Sequence, residues 1–360
     1  MLLVTKSLKH ATLGGREQLS KLNRDCLAEI YGDRLDVLEL DPWRISGTSS
    51  IYSALHGYID GLSDPFIQRA CEQVREGGHN QIFIDGSNLG RLAAEVKQAL
   101  PSVHVYTFFH NIEARFFWGA VRRRPSVHAL GVMVANYSAE RMAVRASGTL
   151  ITLSKRDSDL MTRLYGRAAT AISPMALRDK LPAGSIEEVR SPKKKRYLLF
   201  VGGAFYANRL GIEWFVHNVV PHIQVKTCVV GFGLDDYREA FEGNPKVEIV
   251  GGVDNLADWY RDAYAVIAPI FDGSGMKTKV AEALMFGKKI IGTPEAFSGY
   301  EADIDLAGWC CRTDREFADV INRIQEAPAF DAELRHIYES KYSYKSKLSQ
   351  LYTILSRKIP

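Results

Sequence analysis

The sequence contains no apolar run approaching the roughly eighteen residues that a membrane-spanning helix needs. Its opening, MLLVTKSLKHATLGG, turns polar too early for a secretory signal, so the expected location is the cytoplasm. Cysteine is sparse: Cys26, Cys71, Cys228, Cys310 and Cys311 show no metal-type spacing and read as reduced thiols, the last two following Trp309 in an expected buried strand. An excess of one charge sign is also lacking, since a net charge of +4 is too small to imply a nucleic-acid partner. What remains is a globular composition, 46% hydrophobic and 24% charged, over 360 residues, enough for two domains of ordinary size.

The most informative stretch is AVIAPIFDGSGMKTKVAEALMFGKKIIGTPEAFSGYE, from Ala265 to Glu301. It reads as a buried strand (265–270), a glycine-rich turn (272–275), a helix from about Met276 to Phe286 and a second buried strand (289–292). Glycines at a helix start let backbone approach a ligand, and the unpaired first-turn amides suit a phosphate. Lys277 and Lys279 add cations there, and Glu282 shares a helical face with Lys279 one turn deeper, where a carboxylate can take both hydrogens of a ribose diol.

Residues 273–284, with Gly287, Lys288 and Gly299, resemble the donor-site signature of the family 4 retaining glycosyltransferases. Many members carry two glutamates eight residues apart. Glu282 matches the second, while Ser274 stands where the first would be, so the chain is similar to a branch with a Gly-x-Gly turn and lysines instead. The resemblance implies the GT-B fold, an α/β architecture of two doubly wound, Rossmann-like parallel-sheet domains facing across a cleft. It also implies a nucleotide-diphosphate sugar as co-substrate, no other cofactor, no metal, and transfer to an acceptor hydroxyl with the departing diphosphate as base.

Strand and helix signals alternate along the whole chain, as parallel sheets with helices on both faces require. Strands are expected at 2–5, 36–40, 82–84, 103–109, 150–153 and 169–172 in the first half, and at 197–201, 225–230 and 247–250 in the second. The first strand leads to Gly14 and Gly15, a loop without the Gly-x-Gly-x-x-Gly of dinucleotide sites. In the family this loop approaches the donor phosphate or the acceptor. Asp85, after the third strand, reads as a helix cap or a group orienting the acceptor. His110 closes the fourth, and 108–113 resembles the family motif whose histidine contacts the donor sugar; a strand-end histidine satisfied by backbone is the bland alternative.

Phe116, Phe117 and Trp118 then precede Arg122, Arg123 and Arg124, a pattern that suits the headgroups of an anionic membrane at the inner face, or a helix packed inward with a solvated basic face. Asp157 and Asp159 have the Asp-x-Asp spacing of metal sites in another fold, but aspartates opening a helix read as caps. In the second half, Gly202 and Gly203 lead to Arg209, and by resemblance this loop lies against the donor diphosphate with Gly275, Met276, Lys277 and Lys279. Val253 and Leu256 match the positions that contact the nucleobase.

The expected domains are 1–173 on the acceptor side, a linker at 174–196 ending in a basic run, the nucleotide-sugar domain at 197–331, and a helix at 332–360 crossing back. The function implied is a retaining, metal-independent glycosyltransferase of bacterial surface polysaccharide or glycolipid assembly, acting on a saccharide or lipid-linked saccharide. Its rivals are a non-catalytic nucleotide-sugar or polysaccharide-binding subunit and a GT-B nucleotide-sugar epimerase.

Overall fold

The structure, a computed structural model, describes residues 1–7, 14–41, 53–181, 196–235, 238–241, 243–273, 275–324 and 328–357. Ser274 and the basic run at 192–195 therefore lie outside the described residues. The chain divides into two compact units, Met1–Pro174 with Lys347–Pro360, and Met175–Ser346.

Unit 1 runs β1 (Leu2–Lys6), α1 (Gly15–Tyr31), β2 (Asp36–Leu40), α2 (Asp64–Glu76), β3 (Gln81–Ile84), α3 (Gly90–Ala99), β4 (His104–Phe109), α4 (Glu113–Arg123), α5 (Val127–Ala146), β5 (Thr149–Thr152), α6 (Lys155–Tyr165) and β6 (Ala171–Ile172). Its six strands are parallel and ordered β2-β1-β3-β4-β5-β6. The strands read as unbroken apolar runs because helices cover both faces: Leu2, Val4, Ile82, Ile84 and Val105 pack with Leu92, Ala93 and Val96 of α3.

Unit 2 runs β7 (Tyr197–Val201), α7 (Tyr206–Asn218), β8 (Thr227–Val230), β9 (Val247–Gly251), α8 (Leu256–Asp262), β10 (Ala263–Ala268), α9 (Thr278–Met285), β11 (Ile290–Gly292), α10 (Ile304–Ala307), β12 (Gly308–Cys310), α11 (Asp314–Ile321) and α12 (Ala332–Ile337). Its parallel sheet is ordered β12-β11-β10-β7-β8-β9, the doubly wound order in which direction reverses between β7 and β10. Gly211 lets α7 press on this point, because a Cβ there would lie 2.0 Å from the Pro269 carbonyl oxygen.

Four details differ from the sequence expectation. Residues 235–241 read as helical in the sequence, but among the described residues only Glu239–Phe241 forms a turn of 3-10 helix. β12 is the edge strand, so Trp309 and Cys310 are exposed and only Cys311 is buried. The closing helix is interrupted by a π-helical turn at Tyr338–Tyr342 before α13 (Tyr344–Leu355). Residues 175–181, read from sequence as linker, pack in unit 2, where Leu177 donates to the Tyr342 carbonyl and accepts from the Tyr344 N–H.

Candidate active site

In an open doubly wound sheet, ligands bind beyond the carboxyl ends of the strands flanking the switch point. In unit 2 these strands are β7 and β10, followed by Gly202 and Gly203 and by Gly273, Gly275 and Lys277. Asn208, in the first turn of α7, joins the two loops. Its amide donates to the Gly203 carbonyl at 2.9 Å and its Oδ1 accepts from Lys279 Nζ at 2.7 Å. A Cβ on Gly202 would come within 2.8 Å of that amide nitrogen, which accounts for glycine at this position.

Gly273 and Gly275 take φ of +137° and +66°, backbone that non-glycine residues rarely adopt. The left-handed Gly275 and the extended Lys277 delay α9 to Thr278, two residues later than the sequence suggests. The first-turn amides are therefore those of Thr278 and Lys279 rather than Gly275 and Met276. The buried Met276 points inward, its sulfur accepting from the Met175 N–H at 3.4 Å.

Lys279 is buried, its ammonium 4.5 Å from the centre of the Phe200 ring. Burial, reinforced by the Lys277 charge and partly offset by Glu282, lowers its pKa to about 7. Lys277 Nζ bonds Glu295 Oε1 at 3.0 Å and the Gly275 carbonyl at 2.9 Å. Glu282 uses both carboxylate oxygens: Oε1 accepts from Lys180 at 2.6 Å and Oε2 from the Tyr260 hydroxyl at 3.2 Å. Burial, then the Glu282 charge, pushes the Tyr260 phenol well above its ordinary range. Leu256 stands one turn before Tyr260 on α8, so the expected nucleoside residue shares a face with the phenol that holds Glu282. Val253 is half-buried in the preceding loop.

Sequence reasoning assigned Lys277, Lys279, Glu282, Gly203, Val253 and Leu256 to the donor side, and the structure places Gly203 after β7, Lys277, Lys279 and Glu282 after β10, and Val253 and Leu256 after the edge strand β9. Sequence reasoning missed Asn208, Lys180, Tyr260 and Glu295. Asn208 had a signal, a polar side chain in the first turn after a Gly-Gly loop, but Arg209 beside it drew the assignment. Arg209 lies in the same turn, half-buried, and it is Asn208 that touches Lys279. Phe232 was also missed: it is exposed at the end of β8, its carbonyl accepts the Ala204 N–H at 3.0 Å, and its ring covers Gly252.

In unit 1 the corresponding switch point lies between β1 and β3, and Asp85 follows β3. Asp85 does not cap a helix. Its buried carboxylate accepts from His110 Nε2 at 3.0 Å, Asn23 Nδ2 at 2.9 Å and Thr5 Oγ1 at 3.2 Å. Burial alone would raise Asp85, but His110, Ser20 and Asn23 hold it well below the usual carboxylate range. An ionised carboxylate only accepts, so Nε2 carries a hydrogen, and in the neutral imidazole Nδ1 then keeps a lone pair. That Nδ1 is buried and has no partner among the described residues.

Gly14 precedes α1 and Gly15 opens it, and this helix brings Ser20 within 3.4 Å of His110 Nε2. Nearby, Glu140 of α5 caps α4, accepting the N–H groups of Glu113 at 2.8 Å and Ala114 at 3.0 Å, with Ser87 and Tyr165 on the same carboxylate.

Among the described residues no group of three or more His, Cys, Asp or Glu side chains is arranged to hold a metal ion. Asp157 bonds Ser154 at the start of α6 and Asp159 pairs with Lys155 at 3.0 Å, as helix-opening aspartates do. A cavity of about 370 Å³ opens beside β12, lined by Asp305, Trp309, Glu316 and Arg323 among others, and none of its lining residues belongs to either cluster.

Residues 195–326 match the family model described as glycosyl transferases group 1. No curated protein sequence matches the chain. Among solved structures, Anabaena Alr3699/HepE in complex with UDP is similar at TM-score 0.69 and 14% identity, covering 99% of each chain. The lipopolysaccharide outer core galactosyltransferase WaaB is similar at TM-score 0.66 and 11% identity over 98% of each. A glycosyltransferase from Rickettsia africae is similar at TM-score 0.64 and 11% identity over 99% of each. The second unit thus contains the match to the glycosyl transferases group 1 model, in a chain with the two-domain α/β fold of the GT-B glycosyltransferases.

Proposed function

We propose that the chain is a retaining, metal-independent glycosyltransferase that moves a sugar from a nucleotide-diphosphate sugar to an acceptor hydroxyl in bacterial surface polysaccharide or glycolipid assembly. The observation that carries the reading is the joining of the loops after β7 and β10 by the Asn208 to Lys279 bond, at the switch point of the sheet. Lys277, Lys279 and the first-turn amides of α9 supply positive charge for a diphosphate, whose developing charge on departure they stabilise without a metal. Glu282 would exchange Lys180 for a ribose diol while Tyr260 keeps its carboxylate in place. Phe232, Val253 and Leu256 supply apolar surface for the base. UDP is the favoured nucleotide, because HepE is solved with UDP and with UDP-glucose. His110 Nδ1 is the acceptor for a sugar hydroxyl, and no protein base is assigned, the departing diphosphate taking that role.

The test is a thermal-shift screen against UDP, GDP, ADP and dTDP, with and without EDTA. A nucleotide at a hundred times its dissociation constant stabilises by about 2.7 kcal/mol. A shift with UDP that survives EDTA is expected, and Lys277→Ala and Glu282→Ala should each weaken it by about 1 to 3 kcal/mol. No shift with any nucleotide, or unchanged affinity in both variants, would remove this site.

A further inference from the structure

Between Glu113 and Glu140 the sequence contains no acidic residue, while Arg115, Arg122, Arg123, Arg124 and His128 fall within the same 26 positions. Both bounding glutamates are buried, so no carboxylate of this segment reaches its surface. The segment forms α4 and α5, and its outer face is apolar. Trp118 is 49% exposed, Val127 89%, Leu130 46% and Val134 40%. On α5 the spacing 127, 130, 134 places three of these on one face, opposite Ala135, Ala139 and Ala143, which are buried. On α4, Trp118 and Arg122 are one turn apart, and Arg122, Arg123 and Arg124 are all exposed.

We infer that this helical pair is an interfacial docking surface for an anionic lipid bilayer. A second copy of the chain would bring the same arginines against one another with no carboxylate from this segment to pair them. An anionic headgroup layer supplies the missing negative charge, and the boundary beneath it accepts an indole and aliphatic side chains. Arginine stems lie along the apolar surface with the guanidinium groups at phosphate level. The contact differs from the one expected from sequence: the half-buried rings of Phe116 and Phe117 stand edge to face 5.2 Å apart, and the apolar anchors are Trp118, Val127, Leu130 and Val134. The surface is independent of the donor site, since it lies wholly on unit 1 and uses no residue assigned to nucleotide or sugar.

The experiment is co-sedimentation of the full chain with phosphatidylcholine vesicles and with vesicles containing phosphatidylglycerol, at low and high salt. Binding to the anionic vesicles alone, weakened by salt, is expected. The variant Arg122→Ala, Arg123→Ala, Arg124→Ala should lower the partition by about a hundredfold, from about tenfold for each 1.4 kcal/mol and about 1 kcal/mol per arginine. Val127→Ser with Leu130→Ser should lose binding at unchanged charge. These positions are exposed, so both variants should keep the parent melting temperature and nucleotide shift. Binding that the variants leave intact, no binding to anionic vesicles, or a concentration-dependent dimer abolished by the same substitutions would each overturn the inference.

Discussion

Asp85 and His110 are 25 positions apart in sequence and in direct hydrogen-bond contact in unit 1. Asp85→Asn removes the obligatory acceptor, and the new amide can donate to Nε2, moving the imidazole hydrogen to Nδ1. Sugar transfer should fall about a hundredfold, because a hydroxyl donor then meets N–H instead of a lone pair. On the proposed function UDP binds residues of unit 2, so its dissociation constant should stay at the parent value; steady-state kinetics beside calorimetry separates the two, and weakened UDP binding would count against the assignment. His110 itself was legible in the sequence because it ends an apolar strand inside a recognisable motif. Its bond to Asp85 was not, since sequence does not tell which strand ends neighbour one another in the sheet.

At the scale of an element, α4 shows how a helix start can be satisfied from outside its own sequence. The residue before it, Ile112, cannot cap, and the first N–H groups go instead to Glu140. Burial raises Glu140 to about 7, against the opposing bonds from Tyr165 and the amides. Glu140→Ala leaves two buried N–H donors and should destabilise unit 1 by about 2 to 4 kcal/mol, while Glu140→Gln, which keeps an acceptor oxygen, should cost less; urea titration ranks the two. Element existence was widely readable. β2 and β7 occur at the bounds their patterns suggested, because their apolar residues depend on local sequence alone. The displaced start of α9 was not readable, because it depends on the sign of φ at Gly275, and glycine permits either. The break in the closing helix likewise carries no glycine or proline to mark it.

For the whole molecule, buried ionisable groups set a pH profile. Burial lowers Lys279, Lys288 and Lys347 to about 7, whereas an unfolded lysine titrates near 10.5. Between these values the unfolded chain binds more protons, so their contribution to stability grows as pH rises from 7. Glu140 has the opposite sign: its folded value of about 7 exceeds 4.5, so its contribution is full below 4.5 and lost as pH rises through 7. The melting temperature should therefore pass through a minimum near neutrality and rise towards pH 9. Lys347→Met should flatten the alkaline side, and a melting temperature falling steadily from pH 7 to 9 would contradict the assignment.

Lys347 has a second consequence. It is completely buried in unit 1, donating to the carbonyls of Ser173 and Pro174, although it follows all of unit 2 in the chain. In sequence, unit 2 is thus an uninterrupted segment between the two segments of unit 1. Every residue of unit 2 is joined to the chain before unit 1 receives the part of α13 that carries the buried Leu351, Ile354 and Leu355. The half of the protein made first is accordingly the half finished last, and a chain ending at Ser346 would hold every residue of unit 2 and an unfinished unit 1.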